Sequence, residues 1–346
     1  MRTPLFLVIC LAAAALVFAG AVAVGNDYVF FAGYVILQYV VLSTAWNILG
    51  GYCGYVNFGS AAFFALGAYS TVAIYKLIGD NDLPHIVPMP VLMLVGGVVS
   101  GVVGFGMGYL TLRLRGAFFA IATLALAVVL QTLIVNWDFV GGSRGAYILR
   151  PEEVPLIGSY IKYLFLVMLL LAVAALVIAR LIEHSRLGYG FATIRDDELA
   201  AEASGVPTLR LKLIATAISG ALMGMAGAPF PYYIGFLQPS STFGLEYAIN
   251  SIAMPLIGGT TSWVGPLIGA LLLGSLQQIA TVTISSAINL LIVGFLLVGF
   301  VIAAPNGIVG LVRTSIRHKP AGLVGRRRLG ADAAGPAPGA APESVP

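Results

Sequence analysis

The chain has 346 residues, of which 59% are hydrophobic and only 9% are charged. A soluble globular protein is excluded, because its water-facing surface would require roughly a quarter of its residues to be charged. The net charge of +4 comes from Lys and Arg that lie between apolar segments and near the C-terminus, which is typical of membrane orientation signals and not of a nucleic-acid-binding surface.

Long uncharged segments recur along the chain, and one crossing of a bilayer takes roughly 20 helical residues. These continuous apolar runs lack the alternation of barrel strands, so they predict helices. The predicted class is all-α, a polytopic membrane protein with about ten transmembrane helices. The spans are centred in residues 5–24, 28–49, 58–77, 88–111, 117–137, 161–181, 212–232, 246–259, 264–281 and 287–304. The eighth is short, which is typical of a broken or re-entrant segment.

The two ends of the chain need separate interpretation. Arg2, the apolar run and Ala21-Val22-Ala23 resemble a cleaved signal peptide, whereas the length of the run favours a retained first span. Residues 1–312 are predicted to form one transmembrane domain. Residues 313–346 are rich in Ala, Pro and Gly, so we expect a disordered cytoplasmic tail whose arginines contact lipid headgroups.

Lys and Arg indicate the orientation, since cytoplasmic loops carry an excess of both. With both termini in the cytoplasm, the outer side receives only four of the 18 basic residues, which are Lys76, Arg144, Arg150 and Lys162. All the others lie inside. We therefore expect both termini to be cytoplasmic, as an even number of spans requires.

The most informative connection is residues 185–206, the longest charged stretch between two spans. Phe191, Ile194 and Ala201 are predicted to share an apolar helical face, opposite the polar residues Arg195, Asp197, Glu198 and Glu202. Thr193 or Asp196 is predicted to cap the start of this helix and Gly205 to end it. The segment therefore predicts a short amphipathic helix, either an ordinary interfacial helix or a lever on which a soluble motor acts.

The same connection resembles a known motif. Ala200-Ala201-x-x-x-Gly205 is similar to the core of the coupling loop in permeases of ATP-driven (ABC) importers. The longer string Ser185-Arg186-x-Gly188, followed by Ala192-x-Ile194-Arg195-Asp196-Asp197-Glu198, resembles the LivM-type permeases of branched-chain amino-acid importers. Similar stretches occur at residues 57–69, 112–116, 141–145 and 257–270, and the resemblance covers roughly residues 35–312.

The resemblance implies an ABC importer permease fold and a division of labour between chains. A second, LivH-like permease subunit, two cytoplasmic ABC ATPases and an extracytoplasmic solute-binding protein are the implied partners. The implied coupling loop consists of Arg186, Gly188, Arg195, Asp196, Asp197, Glu198, Ala200, Ala201 and Gly205. This chain has no Gly-x-x-x-x-Gly-Lys-Ser/Thr phosphate loop, so hydrolysis of ATP falls to partner chains and the chain is not expected to be an enzyme. We expect no cofactor, metal or nucleic acid.

Uncharged polar residues inside the spans are candidates for the translocation pathway, because each costs free energy in a bilayer unless it is paired or hydrated. They are Asn47, Asn57, Gln131, Asn136, Asn250 and Gln277. Such residues also hold helices together, so this second role stays open for each. In the outer loop from Asp138 to Tyr160, Arg144 and Arg150 are predicted to contact the binding protein.

Together these patterns predict a permease subunit of an ABC importer for branched-chain or related amino acids, in the bacterial inner membrane. Permeases for urea, short amides and simple sugars share the architecture and remain alternatives. A secondary carrier needs an ionisable group at membrane depth, and a membrane-embedded enzyme needs a catalytic constellation there. No Asp, Glu, Lys or Arg lies in the middle of a span, which disfavours both.

Overall fold

The protein is described by a computed structural model over residues 3–79, 87–111, 114, 116–151, 153–154, 158–283, 291, 294–295, 298–299 and 307–310. The helices are α1 (Thr3–Val24), α2 (Asp27–Gly50), α3 (Ser60–Ile78), α4 (Met89–Thr111), α5 (Ala117–Val135), α6 (Tyr160–Glu183), α7 (Arg186–Asp196), α8 (Glu198–Ala203), α9 (Thr208–Gly227), α10 (Phe230–Ile234), α11 (Pro239–Thr242), α12 (Leu245–Gly258) and α13 (Val264–Thr283). The strands are β1 (Ala146–Tyr147), β2 (Glu153–Val154), β3 (Gly158–Ser159) and β4 (Phe236–Leu237). β1 pairs with β4 and β2 with β3, both antiparallel.

The all-α class is confirmed, since eight helices in the described part of the chain are long and apolar enough to cross a membrane. They coincide with the first seven predicted spans and the ninth. The eighth span is α12, which has 14 residues with Pro255 inside it and is therefore short, as predicted. Of the tenth span, only helical positions at 291, 294–295 and 298–299 are described, and the predicted tail lies outside the described residues.

α2 forms the centre of the bundle and packs against α6, α9, α12 and α13. Its C-terminal half is buried almost without interruption, and Trp46 is among the largest fully buried side chains. α1 and α5 lie at the periphery, where most of their side chains are exposed. Lipid or another subunit must therefore cover these two helices in the membrane, because their exposed faces are apolar.

Close helix packing in the bundle depends on small residues where α3, α4 and α9 meet. A Cβ atom on Gly67 of α3 would collide with the backbone of Gly224 in α9. A Cβ atom on Gly224 would in turn collide with Ser100 and with the carbonyl group of Gly96, both in α4. Glycine is therefore required at this seam, where the backbones approach as they do in many membrane helix pairs.

The connections between helices gather at two ends of the bundle. Residues 51–59, 184–207 and 259–263 meet at one end, where the Arg195 guanidinium donates a hydrogen bond to the carbonyl oxygen of Gly51 at 3.3 Å. At the other end, the pairing of β1 with β4 joins the connection after α5 to the connection after α10. Along the chain, these connections lie alternately at the two ends, as helices that cross a membrane in alternating directions require.

Candidate coupling surface and transport pathway

Residues 185–206 form two short helices, α7 and α8, where the sequence predicted one. The Ser185 hydroxyl caps α7 by accepting hydrogen bonds from two backbone N–H groups at 3.2 and 3.4 Å. The Asp197 carboxylate caps α8 in the same way, at 2.9 and 3.1 Å. The predicted caps Thr193 and Asp196 were wrong, since both lie inside α7, where the Thr193 hydroxyl donates to a backbone carbonyl. Ser and Asp are strong caps because their oxygens satisfy free N–H groups.

The end of α8 was predicted correctly. Gly205 has a φ of +81°, a backbone conformation that glycine adopts at little cost. The N–H of Val206 donates to the carbonyl of Ala201 at 3.0 Å, and the N–H of Gly205 donates to that of Glu202 at 2.9 Å. This pair of bonds is the Schellman arrangement, which satisfies the last carbonyl groups of a helix.

The helix pair is amphipathic in the predicted sense, with Phe191, Ile194 and Ala201 buried. Gly188 is half-buried against the end of α6. The other members of the predicted coupling set, apart from Glu198, are exposed, and these are Arg186, Arg195, Asp196, Asp197, Ala200 and Gly205. The geometry thus presents a mixed-charge surface at the end of the bundle.

Two apolar side chains on this surface were not assigned a role from the sequence. Tyr189 is 71% exposed and Leu199 is 63% exposed, although both lie beside charged residues. Exposed aromatic and aliphatic side chains within a charged surface are typical of the centre of a protein interface. Their position off the buried face of the helices was the signal that could have identified them.

Glu198 was predicted to lie on the polar face, but its carboxylate turns into the protein. One carboxylate oxygen accepts a hydrogen bond from the Lys212 ammonium group at 2.7 Å, and the other accepts from the Tyr55 hydroxyl. Lys212 also donates to the Tyr55 oxygen at 3.2 Å. From the sequence, Lys212 was interpreted only as an orientation charge. The uncharged apolar run that begins directly after Lys212 was the available signal, because a charge beside such a run is costly unless it is paired.

The segment 51–58 lies between this helix pair and α5. The Tyr55 ring packs edge-on against Phe119 of α5, with 5.0 Å between the ring centres. The backbone N–H of Phe58 donates to the Thr123 hydroxyl of α5 at 3.2 Å. Segment 51–58 is therefore in direct contact with α5, so a displacement of the segment would change these contacts.

The carboxylate of Glu183 closes the same end of the bundle. It accepts a hydrogen bond from the backbone N–H of Trp263 at 2.9 Å and one from the Tyr52 hydroxyl at 3.4 Å. Burial, together with the neighbouring Glu183 carboxylate, raises the pKa of Tyr52, so its phenol keeps the proton that it donates. Burial also raises the pKa of the Cys53 thiol to about 12. The nearby Lys212 lowers this pKa and Glu198 raises it, but burial has the largest effect.

Two of the six pathway candidates are brought together. The Asn250 amide donates to the Tyr39 hydroxyl at 3.2 Å, and the Gln277 amide donates to the Asn250 side-chain oxygen at 2.9 Å. All three side chains are buried, and the network joins α2, α12 and α13. Such hydrogen bonds hold membrane helices together.

Asn47 and Asn57 are also buried, close to the end of α2. The Asn57 side chain accepts from the N–H of Gly59 at 2.7 Å, and its backbone carbonyl accepts from the Trp46 indole at 2.9 Å. Asn57 therefore shapes the turn before α3. Asn47 lies where a Cβ atom on Gly51 would collide with its amide oxygen.

The last two candidates lie on α5 or at its end. Asn136 is exposed, and its amide donates to the carbonyl of Thr132 at 2.8 Å, which caps the helix. Gln131 is half-buried and lines a cavity of about 270 Å³ between α3, α5 and the start of α12. Gln131 thus borders an open space.

Arg144 and Arg150 lie at the end of the bundle opposite α7 and α8, and both are exposed. Arg144 ends a short 3₁₀ turn, and the Arg150 guanidinium lies 6.0 Å from the ring centre of Phe31. Both positions leave the charges accessible to another protein. Within the described ranges, no group of three His, Cys, Asp or Glu side chains is close enough to share a metal ion.

Most of the chain is similar to known proteins. Residues 28–301 match the profile of a family described as branched-chain amino acid transport system / permease component. The branched-chain amino acid permease protein LivM of Salmonella typhimurium is 29% identical over 306 residues, which cover 81% of this chain and 70% of that protein. LivM of Escherichia coli is 28% identical over the same shares.

A further relative is the probable permease protein LivH of Methanocaldococcus jannaschii, 25% identical over 271 residues, or 74% of this chain and 83% of that protein. No solved structure matches this chain. The matched region runs from the start of α2 across every described spanning helix that follows it. The protein is thus a membrane-embedded transport subunit and not an enzyme, and it belongs to the family of permease components of branched-chain amino acid transport systems.

Proposed function

We propose that this chain is one permease subunit of an ABC importer that carries branched-chain or closely related amino acids across the bacterial inner membrane. The observation that carries the proposal is the helix pair α7–α8. A lever must be accessible to a motor and also fastened to the spans. The pair meets both conditions, since its charged side is exposed and its inner side bonds to segment 51–58 and to α9.

In this proposal one of two cytoplasmic ATPases binds the exposed side of α7–α8, and the other binds the second permease subunit. Tyr189 and Leu199 supply the apolar centre of the contact, and the exposed charges surround it. A LivH-like second permease subunit pairs with this chain, which the LivM and LivH relatives support. Both termini are then cytoplasmic, and Arg144 and Arg150 face the external solute-binding protein.

Transport follows by alternating access. Closure of the ATPases moves α7–α8, and the displacement reaches the spans through segment 51–58 and α9. Among the pathway candidates, Gln131 has the best-supported position, because it borders a cavity and lies on the peripheral helix α5. Asn250 and Gln277 are better placed to hold the helices in register.

The test is uptake of labelled leucine, urea and acetamide by proteoliposomes that contain both permeases, the ATPases and the binding protein. We expect ATP-dependent uptake of leucine that stops when the ATPases are omitted. Asp197→Arg should abolish coupling, because it removes the α8 cap and puts a positive charge at a helix N-terminus. Asp197→Asn is the matched control and should stay coupled, since Asn caps equally well.

Three results would contradict the proposal. Leucine uptake without any ATPase would remove the motor. Preferential uptake of urea or acetamide would remove the substrate class. Full coupling in Asp197→Arg would remove α7–α8 as the lever.

A further inference from the structure

Tyr55, Glu198 and Lys212 form a buried cluster, which we call the ionic cluster, from three separate segments. Tyr55 comes from the connection between α2 and α3, Glu198 begins α8, and Lys212 lies in the first turns of α9. The exposed fractions of the Lys212 and Glu198 side chains are only 3% and 13%. The cluster lies directly behind the exposed coupling surface.

Each polar group of the ionic cluster has a partner inside the cluster. Lys212 donates to both Glu198 and Tyr55, and its ammonium lies 4.7 Å from the Tyr55 ring centre. Both oxygens of Glu198 accept hydrogen bonds. A buried ion pair satisfied in this way is strongly directional, and removing one partner leaves an uncompensated buried charge.

Stability alone does not account for an ion pair at this place. Apolar side chains of similar volume are commonly at least as stabilising as a buried ion pair. α7 and α8 also have their own caps and their own buried apolar face. What charged groups add is a fixed geometry, since the bonds persist only in one register of α8 against α9.

The ionic cluster leads in two directions into the bundle. Through Lys212 it holds α9, which packs against α3 and α4. Through Tyr55 it holds segment 51–58, which contacts Phe119 and Thr123 of α5. α5 in turn carries Gln131 at the edge of the cavity.

We propose that Tyr55, Glu198 and Lys212 are positioning residues that lock α8 to the spans, so that movement of the helix pair reaches α5 and the cavity at Gln131. The inference rests on the proposed function, because it assigns a path to the movement that the ATPases produce. It gives Lys212 and Tyr55 a role in energy coupling and gives Glu198 a role distinct from contact with the ATPase.

The test measures leucine uptake and ATP hydrolysis in the same proteoliposomes with the complete complex. Glu198→Gln, Lys212→Met and Tyr55→Phe should each retain the ATPases through purification. Glu198→Gln and Lys212→Met should lower the leucine transported per ATP by about tenfold, the range expected for loss of a coupled pair. The double variant Glu198→Lys with Lys212→Glu should recover to within about threefold of the wild type, because it restores the pair in reverse.

Arg210→Met is the matched control, since Arg210 is an exposed cation on the same helix. It should leave the leucine transported per ATP unchanged. If a single variant aggregates in gel filtration, the neutral pair Glu198→Gln with Lys212→Met replaces it. That pair buries no lone charge and should fold, yet transport as poorly per ATP as the single variants.

The outcomes separate this inference from the function on which it rests. A wild-type complex without ATP-dependent uptake overturns the proposed function and the inference together. A coupled wild type whose folded variants transport as much leucine per ATP overturns only the inference. Loss of the ATPases from the variants also overturns it, because the ionic cluster would then act on docking and not on transmission. Failure of the reversed pair to recover has the same consequence.

Discussion

At the scale of single residues, several buried polar groups in this protein form small clusters that join distant segments. Glu183 connects the end of α6 to Trp263, and Gln277 connects α13 to Asn250. In a bilayer an unsatisfied polar group costs free energy, so each cluster is stable only when the segments have docked. Polar residues thus select one arrangement of helices from the many that apolar contacts alone allow.

Loss of the Gln277 amide is expected to destabilise the fold. Gln277→Leu leaves the Asn250 oxygen buried without this donor, which costs about 1–2 kcal/mol. Gln278→Leu is the matched control, because the Gln278 side chain is only half-buried. Its effect on the free energy of unfolding should stay within about 0.5 kcal/mol. Thermal unfolding in detergent measures the difference. Equal midpoints for both variants would show that the network contributes nothing.

Cys53 should be unreactive in the folded protein. Its thiol is fully buried and its pKa is raised from the ordinary 9.0 to about 12, so the reactive thiolate is scarce at neutral pH. In a Cys10→Ala background, we expect no N-ethylmaleimide labelling at pH 8 and complete labelling in dodecyl sulfate. Because the pKa is raised on folding, this thiol contributes stability below pH 9 that is lost as the pH rises towards 12. Rapid labelling of the native protein would contradict the burial.

The sequence showed which spans contain polar residues but not what those residues do. Asn57 completes a turn, Asn250 pairs with Gln277, and Gln131 borders a cavity. A side chain's partner depends on tertiary packing, which a single sequence does not reveal. Lys212 was overlooked for the same reason, since its partner Glu198 is 14 positions away and lies on another helix.

At the scale of elements, the spans differ in how they pack. α9 lies against α3 and α4 along small residues, whereas α5 touches its neighbours at only a few buried positions. Close backbone approach maximises dispersion contacts, which replace the hydrophobic effect inside a lipid environment. α9 is thus the tightly packed partner of the helix pair, whereas α5, like α1, is loosely packed at the periphery.

A methyl group in the seam should separate these helices. Gly224→Ala places a Cβ atom against Ser100 and a backbone carbonyl, so we expect a loss of about 1–3 kcal/mol. Gly106→Ala in α4 is the control, because nothing lies within 4 Å of the added atom. It should be neutral or stabilising by up to about 1 kcal/mol, owing to the helix propensity of Ala. The melting temperatures in detergent decide, and tolerance of Gly224→Ala would show that the seam is not tight.

The elements that the sequence predicted well are those defined by composition. Uncharged apolar length, together with glycine-containing breaks, located the described spans, including the short α12. The break between α7 and α8 was missed, because Asp197 is compatible both with the interior of an amphipathic helix and with a cap. Tertiary contacts decide between these states, and here the inward bonds of Glu198 set the direction in which α8 begins.

At the scale of the whole molecule, the two ends of the bundle have different characters. One end carries the charged helix pair and the ionic cluster. The other carries short paired strands and exposed arginines. This difference between the ends suits a protein that binds an ATPase on one side and a solute-binding protein on the other.

The orientation can be tested with single cysteines in a background without Cys10 and Cys53. Tyr189→Cys on α7 and Tyr147→Cys on β1 place thiols at sites that are 71% and 75% exposed. A membrane-impermeant maleimide should label Tyr147→Cys in intact spheroplasts and Tyr189→Cys only in inverted vesicles. The opposite pattern would place α7–α8 outside the cell and remove it from any cytoplasmic ATPase.

The seam between α4 and α9 also constrains how the protein is made. Spans enter the bilayer in the order of translation, so α3 and α4 are inserted well before α9 leaves the ribosome. Until then the α4 side of this seam lacks its α9 partner, although α5 and α6 have already been inserted. The bundle is therefore completed late in biosynthesis, and nascent chains that stop short of α9 should be loosely assembled substrates for membrane proteases.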